Sequence, residues 1–143
     1  MPKIFFNNAD CNYSLREKKR IKTFVSNIFQ FENKALERID YIFCNDDYLL
    51  DINKRFLQHD YFTDIITFPL SESDQPIVAE IYVSRDRIKE NALEHKTSIF
   101  NETLRVLFHG ALHLCGYADK TTNQKLLMRD KENFYINMFH VKQ

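Results

Sequence analysis

The spacing of apolar residues along this chain switches between the two-residue repeat of strands and the three-to-four-residue repeat of helices, and each switch marks an element boundary. Residues 3 to 7 read as a short strand. Ser14-Leu15-Arg16-Glu17 has the form of a capping box, opening a helix whose Ile21, Phe24, Val25 and Ile28 fall on one face. Ile39, Tyr41 and Phe43 alternate in a second strand over 36 to 44, after which Asn45 or Asp46 caps a helix packed through Leu49, Ile52 and Phe56. Two more strands, 64 to 68 and 77 to 83, flank the turn-rich run from Pro69 to Pro76, and so short a connection predicts an antiparallel hairpin. Ser84 caps a third helix, a fourth runs from about 98 to 115, and a last one follows Thr121 and Thr122, using Leu127, Phe134 and Met138. Two strand-helix crossovers then predict three parallel strands with the fourth turned back. The expected class is α+β: a mixed four-stranded sheet, mostly parallel with one antiparallel strand, flanked by about five helices, the 98–115 helix lying beneath the sheet edge.

Composition narrows the setting. A chain of 143 residues suffices for one domain, 1–143, that removes about two-thirds of its unfolded surface from water. Thirteen phenylalanines and seven tyrosines supply the bulky side chains of its core. No apolar run approaches the ~20 residues of a membrane span, and Met1 to Asn7 lacks the apolar stretch of a signal peptide, so a soluble, cytoplasmic protein with no membrane partner is expected. Cys11, Cys44 and Cys115 are odd in number and far apart, which predicts reduced thiols, Cys115 being a core thiol. With 20 basic and 20 acidic residues the net charge is zero, which excludes broad nucleic-acid binding through overall charge. Any such contact needs a local patch. Arg16, Lys18, Lys19, Arg20 and Lys22 form one basic cluster, to be read either as a solvated helix face or as a contact with RNA or the ribosome.

The chemistry concentrates in His109 to Asp119, the stretch that holds both glycines of the chain. On a helix, His109 and His113 leave the same face one turn apart, within reach of one metal ion. Gly116 permits φ > 0, so the chain can turn back and bring Asp119 to the same ion. HxxxHxxGxxD thus supplies two imidazoles and a carboxylate, leaving a fourth tetrahedral position as catalytic zinc sites do. The alternative is a pair of half-buried histidines on a helix ended by an ordinary glycine cap. Gly110, at a cost of about 1 kcal/mol inside a helix, implies a close approach to the backbone there. It also occupies the place where zinc peptidases carry the glutamate base of HExxH. The pattern therefore points to metal-hydroxide chemistry without the peptidase base.

His109-Gly110-Ala111-Leu112-His113-Leu114-Cys115-Gly116-Tyr117-Ala118-Asp119 resembles the HGxLHLxGYDH signature of the YbeY family of rRNA maturation factors, regarded as metal-dependent endoribonucleases. Asn53, the segment Thr63-Asp64-Ile65-Ile66-Thr67-Phe68, and Ala79-Glu80-Ile81-Tyr82-Val83-Ser84 resemble further family segments in the same order. The resemblance implies a zincin-like fold, a groove for substrate between the metal helix and the stretch from Thr63 to Phe68, and ribosomal RNA, ribosomal particles or assembly proteins as partners. This chain departs from the family twice. Asp119 stands where the family usually has its third histidine ligand, and Leu57 stands where it usually has an arginine that holds phosphate. Candidates for that lost contact are His59 and Arg105, the latter one turn before His109, with Lys120 beside Asp119; Arg55 faces elsewhere. Glu80 is either a supporting group near the metal or a solvated strand carboxylate.

The ligand pattern predicts a hydrolase that binds one zinc ion or another divalent metal through His109, His113 and Asp119, and the resemblance implies that it acts as a single-strand endoribonuclease in rRNA maturation, ribosome assembly or quality control. Two alternatives remain: a metal-stabilised ribosome-assembly factor without turnover, which Leu57 favours, and a zinc metallopeptidase, which Gly110 disfavours. No oligomeric state follows from the pattern.

Overall fold

A computed structural model describes residues 2–58 and 63–141. Its elements are β1 (Lys3–Asn8), α1 (Lys18–Phe31), β2 (Leu36–Cys44), α2 (Asp46–Leu57), β3 (Ile65–Pro69), β4 (Ile77–Ser84), α3 (Arg85–Glu94), α4 (Ile99–Leu114) and α5 (Thr122–Val141). The strands form one mixed sheet in the order β1-β2-β4-β3. β1 is parallel to β2 and β2 to β4, while β3 is antiparallel to β4. The class is the expected one, but the reversed strand is β3, not the fourth. Burial explains the exchange. Ala79, Ile81 and Val83 make β4 apolar enough for the sheet interior, whereas β3 has five residues and ends at Pro69, a residue suited to an edge.

Helices cover both faces. On one, Ile21, Phe24, Val25 and Ile28 of α1 join Leu104, Leu107, Phe108 and Ala111 of α4 against Ile39, Tyr41, Phe43, Ile81 and Val83. On the other, Leu49 and Ile52 of α2 pack on Cys44 and Ile66, with Phe68 and Tyr82 beside them. Strand periodicity thus decides which residues of β3 can approach α4: Ile65 packs into the first cluster and Ile66 into the second.

Three local expectations fail, each for a packing reason. The capping box does not form. Leu15 is drawn into the core and Arg16 lies over the Phe100 ring at 4.5 Å, so α1 starts at Lys18. Glu17 sits at its N-cap with φ of 56°, makes no side-chain cap bond, and pairs with Arg20 at 2.9 Å. Phe56 is 65% exposed and meets the sheet through an edge contact with the Phe68 ring, centroids 6.1 Å apart; the buried positions of that turn are Ile52 and Asn53. On α5, Leu127 and Phe134 are 50% and 54% exposed, and the buried stripe is Met128, Glu132, Tyr135, Ile136 and Phe139. Glu132 lies within that stripe, bonded to His109 and Arg105 of α4.

Candidate metal centre

α4 is fixed at its start by Ser98, whose hydroxyl accepts from the Asn101 amide at 3.0 Å. One turn apart near its other end, the His109 and His113 rings have centroids 4.5 Å apart. The helix then closes through Gly116 N–H to His113 C=O (3.0 Å) and Tyr117 N–H to Leu112 C=O (3.1 Å), with Gly116 at φ of 110°. Nothing lies within 4 Å of a Cβ built on Gly116, so backbone conformation alone selects glycine there. The turn returns Asp119, whose Oδ2 is 3.2 Å from His109 Nε2 and 3.3 Å from His113 Nε2. Ligand atoms of the three residues all lie within 4.8 Å of one another, the arrangement that the spacing predicts.

The remaining ring nitrogens are also bonded. His109 Nδ1 meets Glu132 Oε2 at 2.6 Å, and His113 Nδ1 meets the Tyr117 carbonyl at 2.8 Å. A carbonyl or carboxylate only accepts, so both Nδ1 atoms carry the proton and both Nε2 lone pairs are left for a cation. This donor set fits a divalent metal: two imidazoles already in the ligating tautomer and one carboxylate. Burial disfavours charge on His109, but the Glu132 hydrogen bond and the charges of Glu132, Asp64 and Asp119 outweigh it and raise its pKa. Sequence spacing does not reveal Glu132, which comes from α5 and contacts a residue 23 positions away. A charged residue between Met128 and Tyr135, on an otherwise apolar stripe, was the available signal.

Arg105 donates to Glu132 Oε1 at 3.0 Å and to Asn133 Oδ1 at 2.9 Å, on the far side of Glu132 from the imidazole. Its guanidinium braces that carboxylate and lines a smaller side cavity of about 290 Å³. His59 lies outside the described residues. Arg55 is exposed and pairs with Asp51 at 3.2 Å. Glu80 accepts from the Tyr82 hydroxyl at 3.2 Å and does not line the groove at the metal site.

That groove, about 1140 Å³ in volume, runs along the β3 edge past His109, His113 and Asp119. Asn53 and Leu57 of α2 and Asp64 before β3 form one wall. Burial raises the Asp64 pKa against the opposing effect of His109, with Glu132 and Asp119 adding to the rise. Lys34 and Lys120 are the lysines lining the groove among the described residues, and the sequence reading passed over Lys34. The basic cluster on α1 lies elsewhere: Arg16 covers Phe100, Arg20 lies 3.9 Å from the Phe139 ring centroid, and Lys22 lies 5.9 Å from those of Phe5 and Phe6. A Cβ on Gly110 would come within 3.0 Å of Ile65 Cδ1 and 3.1 Å of Ile81 Cδ1. The approach implied by that glycine is therefore the sheet itself, and the peptidase base position faces β3 and β4. Cys115 is buried, and burial pushes its thiol up to about 12, leaving it inert.

A mixed sheet flanked by helices, with two helical imidazoles and a returning carboxylate at the rim of a groove, defines an α+β protein with a candidate metal-binding group. Residues 5–140 match the family described as endoribonuclease YbeY, and the chain belongs to that family. The endoribonuclease YbeY of Cytophaga hutchinsonii is 45% identical over 135 residues, covering 94% of each chain. That of Flavobacterium psychrophilum is 44% identical over 136 residues, covering 95% of this chain and 96% of its own. The fold also resembles the solution structure of TM1509 from Thermotoga maritima, with a TM-score of 0.65, 28% identity, and coverage of 95% of this chain and 88% of that one.

Proposed function

We propose that this endoribonuclease cuts single-stranded segments of ribosomal RNA during ribosome maturation in the cytoplasm, with His109, His113 and Asp119 holding one zinc ion or a similar divalent metal. The observation that carries this reading is the convergence of the three ligand atoms, with the Nδ1 atom of each imidazole held by an oxygen acceptor. A bound divalent ion supplies Lewis-acid polarisation of a phosphoryl oxygen and makes a water or a ribose hydroxyl more acidic. The protein's own groups hold the reactants. Glu132 and the Tyr117 carbonyl orient the imidazoles, and the groove along β3 takes the strand. Lys34 and Lys120 contact its phosphates in place of the arginine replaced by Leu57, while Asp64, half-buried at the rim with a raised pKa, is suited to holding a proton close to the reacting phosphate. Free thiols at Cys11, Cys44 and Cys115 support a reducing compartment, and no helix among the described residues is long and apolar enough to cross a membrane.

The test is cleavage of defined rRNA fragments by purified protein, with and without chelator, beside His113→Ala and Asp119→Ala purified identically. Chelator-sensitive cutting that both substitutions abolish is the expected result; cutting that survives them belongs to a contaminant. Leu57 favours a second reading, a metal-stabilised assembly factor without turnover. Inactive protein that still binds ribosomal particles would select it.

A further inference from the structure

Tyr117 is held at both ends. Its carbonyl accepts from His113 Nδ1 at 2.8 Å, and its phenol donates to Glu32 Oε1 at 2.8 Å. Glu32 follows the last residue of α1, 85 positions from Tyr117 in the chain. Its second oxygen takes the Tyr135 phenol and, at 3.3 Å, the Lys131 ammonium, both from α5. One carboxylate thus ties together the end of α1, the turn after α4, and α5. Burial works against its charge, but the hydrogen bonds from Tyr135 and Tyr117 and the Lys131 charge overcome this and lower its pKa, so it remains an acceptor at neutral pH.

The turn needs such an anchor. Gly116 is the most permissive residue available, and nothing packs where its side chain would be. The Tyr117 carbonyl, which sets the direction of the His113 ring, immediately follows that joint. Its ring is the part of the residue that the rest of the molecule can hold. His109, by contrast, is oriented directly by Glu132, the neighbour of Lys131 on α5. Each imidazole therefore answers to a carboxylate, one in contact and one through a tyrosine.

We propose that Glu32 is a positioning residue of the metal centre: by clamping the Tyr117 phenol it fixes the carbonyl that orients His113, and thereby sets how tightly the site holds a divalent ion. The inference rests on the metal-binding reading above and concerns a residue far from the signature stretch. It extends the site to α1 and makes the α1–α5 junction part of its frame.

Co2+ serves as the probe, its visible absorption reporting both affinity and ligand geometry. Tyr117→Phe and Glu32→Ala are expected to weaken Co2+ binding about tenfold, at the lower end of the loss typical for an outer partner of a ligating histidine, and to shift the absorption bands. Glu32→Gln keeps an acceptor for the phenol and restores the affinity. Tyr135→Phe removes a second Glu32 partner but leaves the Tyr117–Glu32 bond in place; it lowers thermal stability and costs less affinity than Tyr117→Phe. Wild-type affinity and spectrum in Tyr117→Phe would overturn the proposal, as would an equal loss of affinity in Tyr135→Phe. If Glu32→Ala does not fold, Tyr117→Phe decides alone, because it leaves the Glu32 bonds to α5 intact. Should wild-type protein take up no Co2+, the metal reading fails on its own, and the 15N shifts of His113 judge the relay. A single Nδ1–H tautomer in wild type that becomes a mixture in Tyr117→Phe supports it, and identical spectra reject it.

Discussion

At His109 and His113 one ring nitrogen is already bonded, and that bond decides what the other can do. The arrangement also sets a pH dependence. The His109 pKa is raised above its ordinary 6.5 in the metal-free protein, so its contribution to stability is fully present below 6.5 and is lost as pH rises through the higher folded value. Metal binding demands the opposite protonation state, since a ligating imidazole must be neutral. Metal-free protein should therefore gain stability from this group on going from about pH 8 to about pH 6, while Co2+ affinity falls over the same interval. Chemical denaturation and metal titration at the two pH values measure both; affinity independent of pH would count against imidazole ligation. Leu57 is the other residue whose chemistry decides an outcome. It lines the groove, 39% exposed, where the family resemblance implies a guanidinium. Leu57→Arg should raise RNA cleavage roughly tenfold or more, a charge-assisted hydrogen bond being worth about 1.5–3 kcal/mol. An unchanged rate with metal still bound would show that phosphate is held by other groups.

Two glycines set α4 against the rest of the structure in different ways, and substitution separates them. Gly110→Ala pushes a methyl against Ile65 and against the branched Ile81, whose Cγ2 lies 3.2 Å away and cannot retract without a rotamer change. Overpacking of about 1–3 kcal/mol outweighs the ~1 kcal/mol of helix propensity gained, so stability falls by roughly 1 kcal/mol. The methyl faces the sheet, and metal affinity should hold. Gly116→Ala meets no atom but must adopt φ of 110°, at a cost of about 1–3 kcal/mol. The turn can relax only by moving Asp119, so stability and Co2+ affinity fall together. Denaturation paired with metal titration on both variants checks the contrast. The same distinction marks what the chain made legible. Side-chain period and caps located nearly every element, and the i, i+4 histidines with Gly116 located the grouping of His109, His113 and Asp119, because each is a local rule. The place of β4 between β2 and β3 depends on which strand is more apolar on both faces, which no single period expresses. Glu132 was hidden for a related reason: reading α5 by its apolar residues chose Leu127 and Phe134, whereas the buried stripe is organised around a carboxylate that serves another helix. Glu17 shows a local rule overridden, its capping role lost once Leu15 entered the core.

For the molecule as a whole, zero net charge limits how it can hold RNA. A protein that neutralises Z phosphates on a single strand has an affinity falling with salt at a log-log slope of about −0.7Z. The groove offers Lys34 and Lys120, set against Asp64, Asp119, Glu72 and Asp74 along the same walls. The basic cluster on α1 adds little there, since Arg16 and Arg20 are committed to the Phe100 and Phe139 rings. Z should therefore be about two, giving a slope of roughly −1.4 for a single-stranded rRNA fragment bound to metal-loaded protein. Substituting either lysine by alanine should flatten the slope by about 0.7 while leaving metal affinity alone, because neither side chain belongs to the ligand set. Fluorescence anisotropy with an end-labelled 2′-O-methyl RNA, titrated from low to physiological salt and checked on a gel for intact strand, measures this. A slope steeper than about −3.5, corresponding to five or more phosphates, would mean that basic surface beyond the groove carries the binding. The exposed Lys18 and Lys19 would be the first to test. A slope unaffected by Lys34→Ala and Lys120→Ala would remove both from the phosphate path and return the missing arginine's role to the groups nearer the metal.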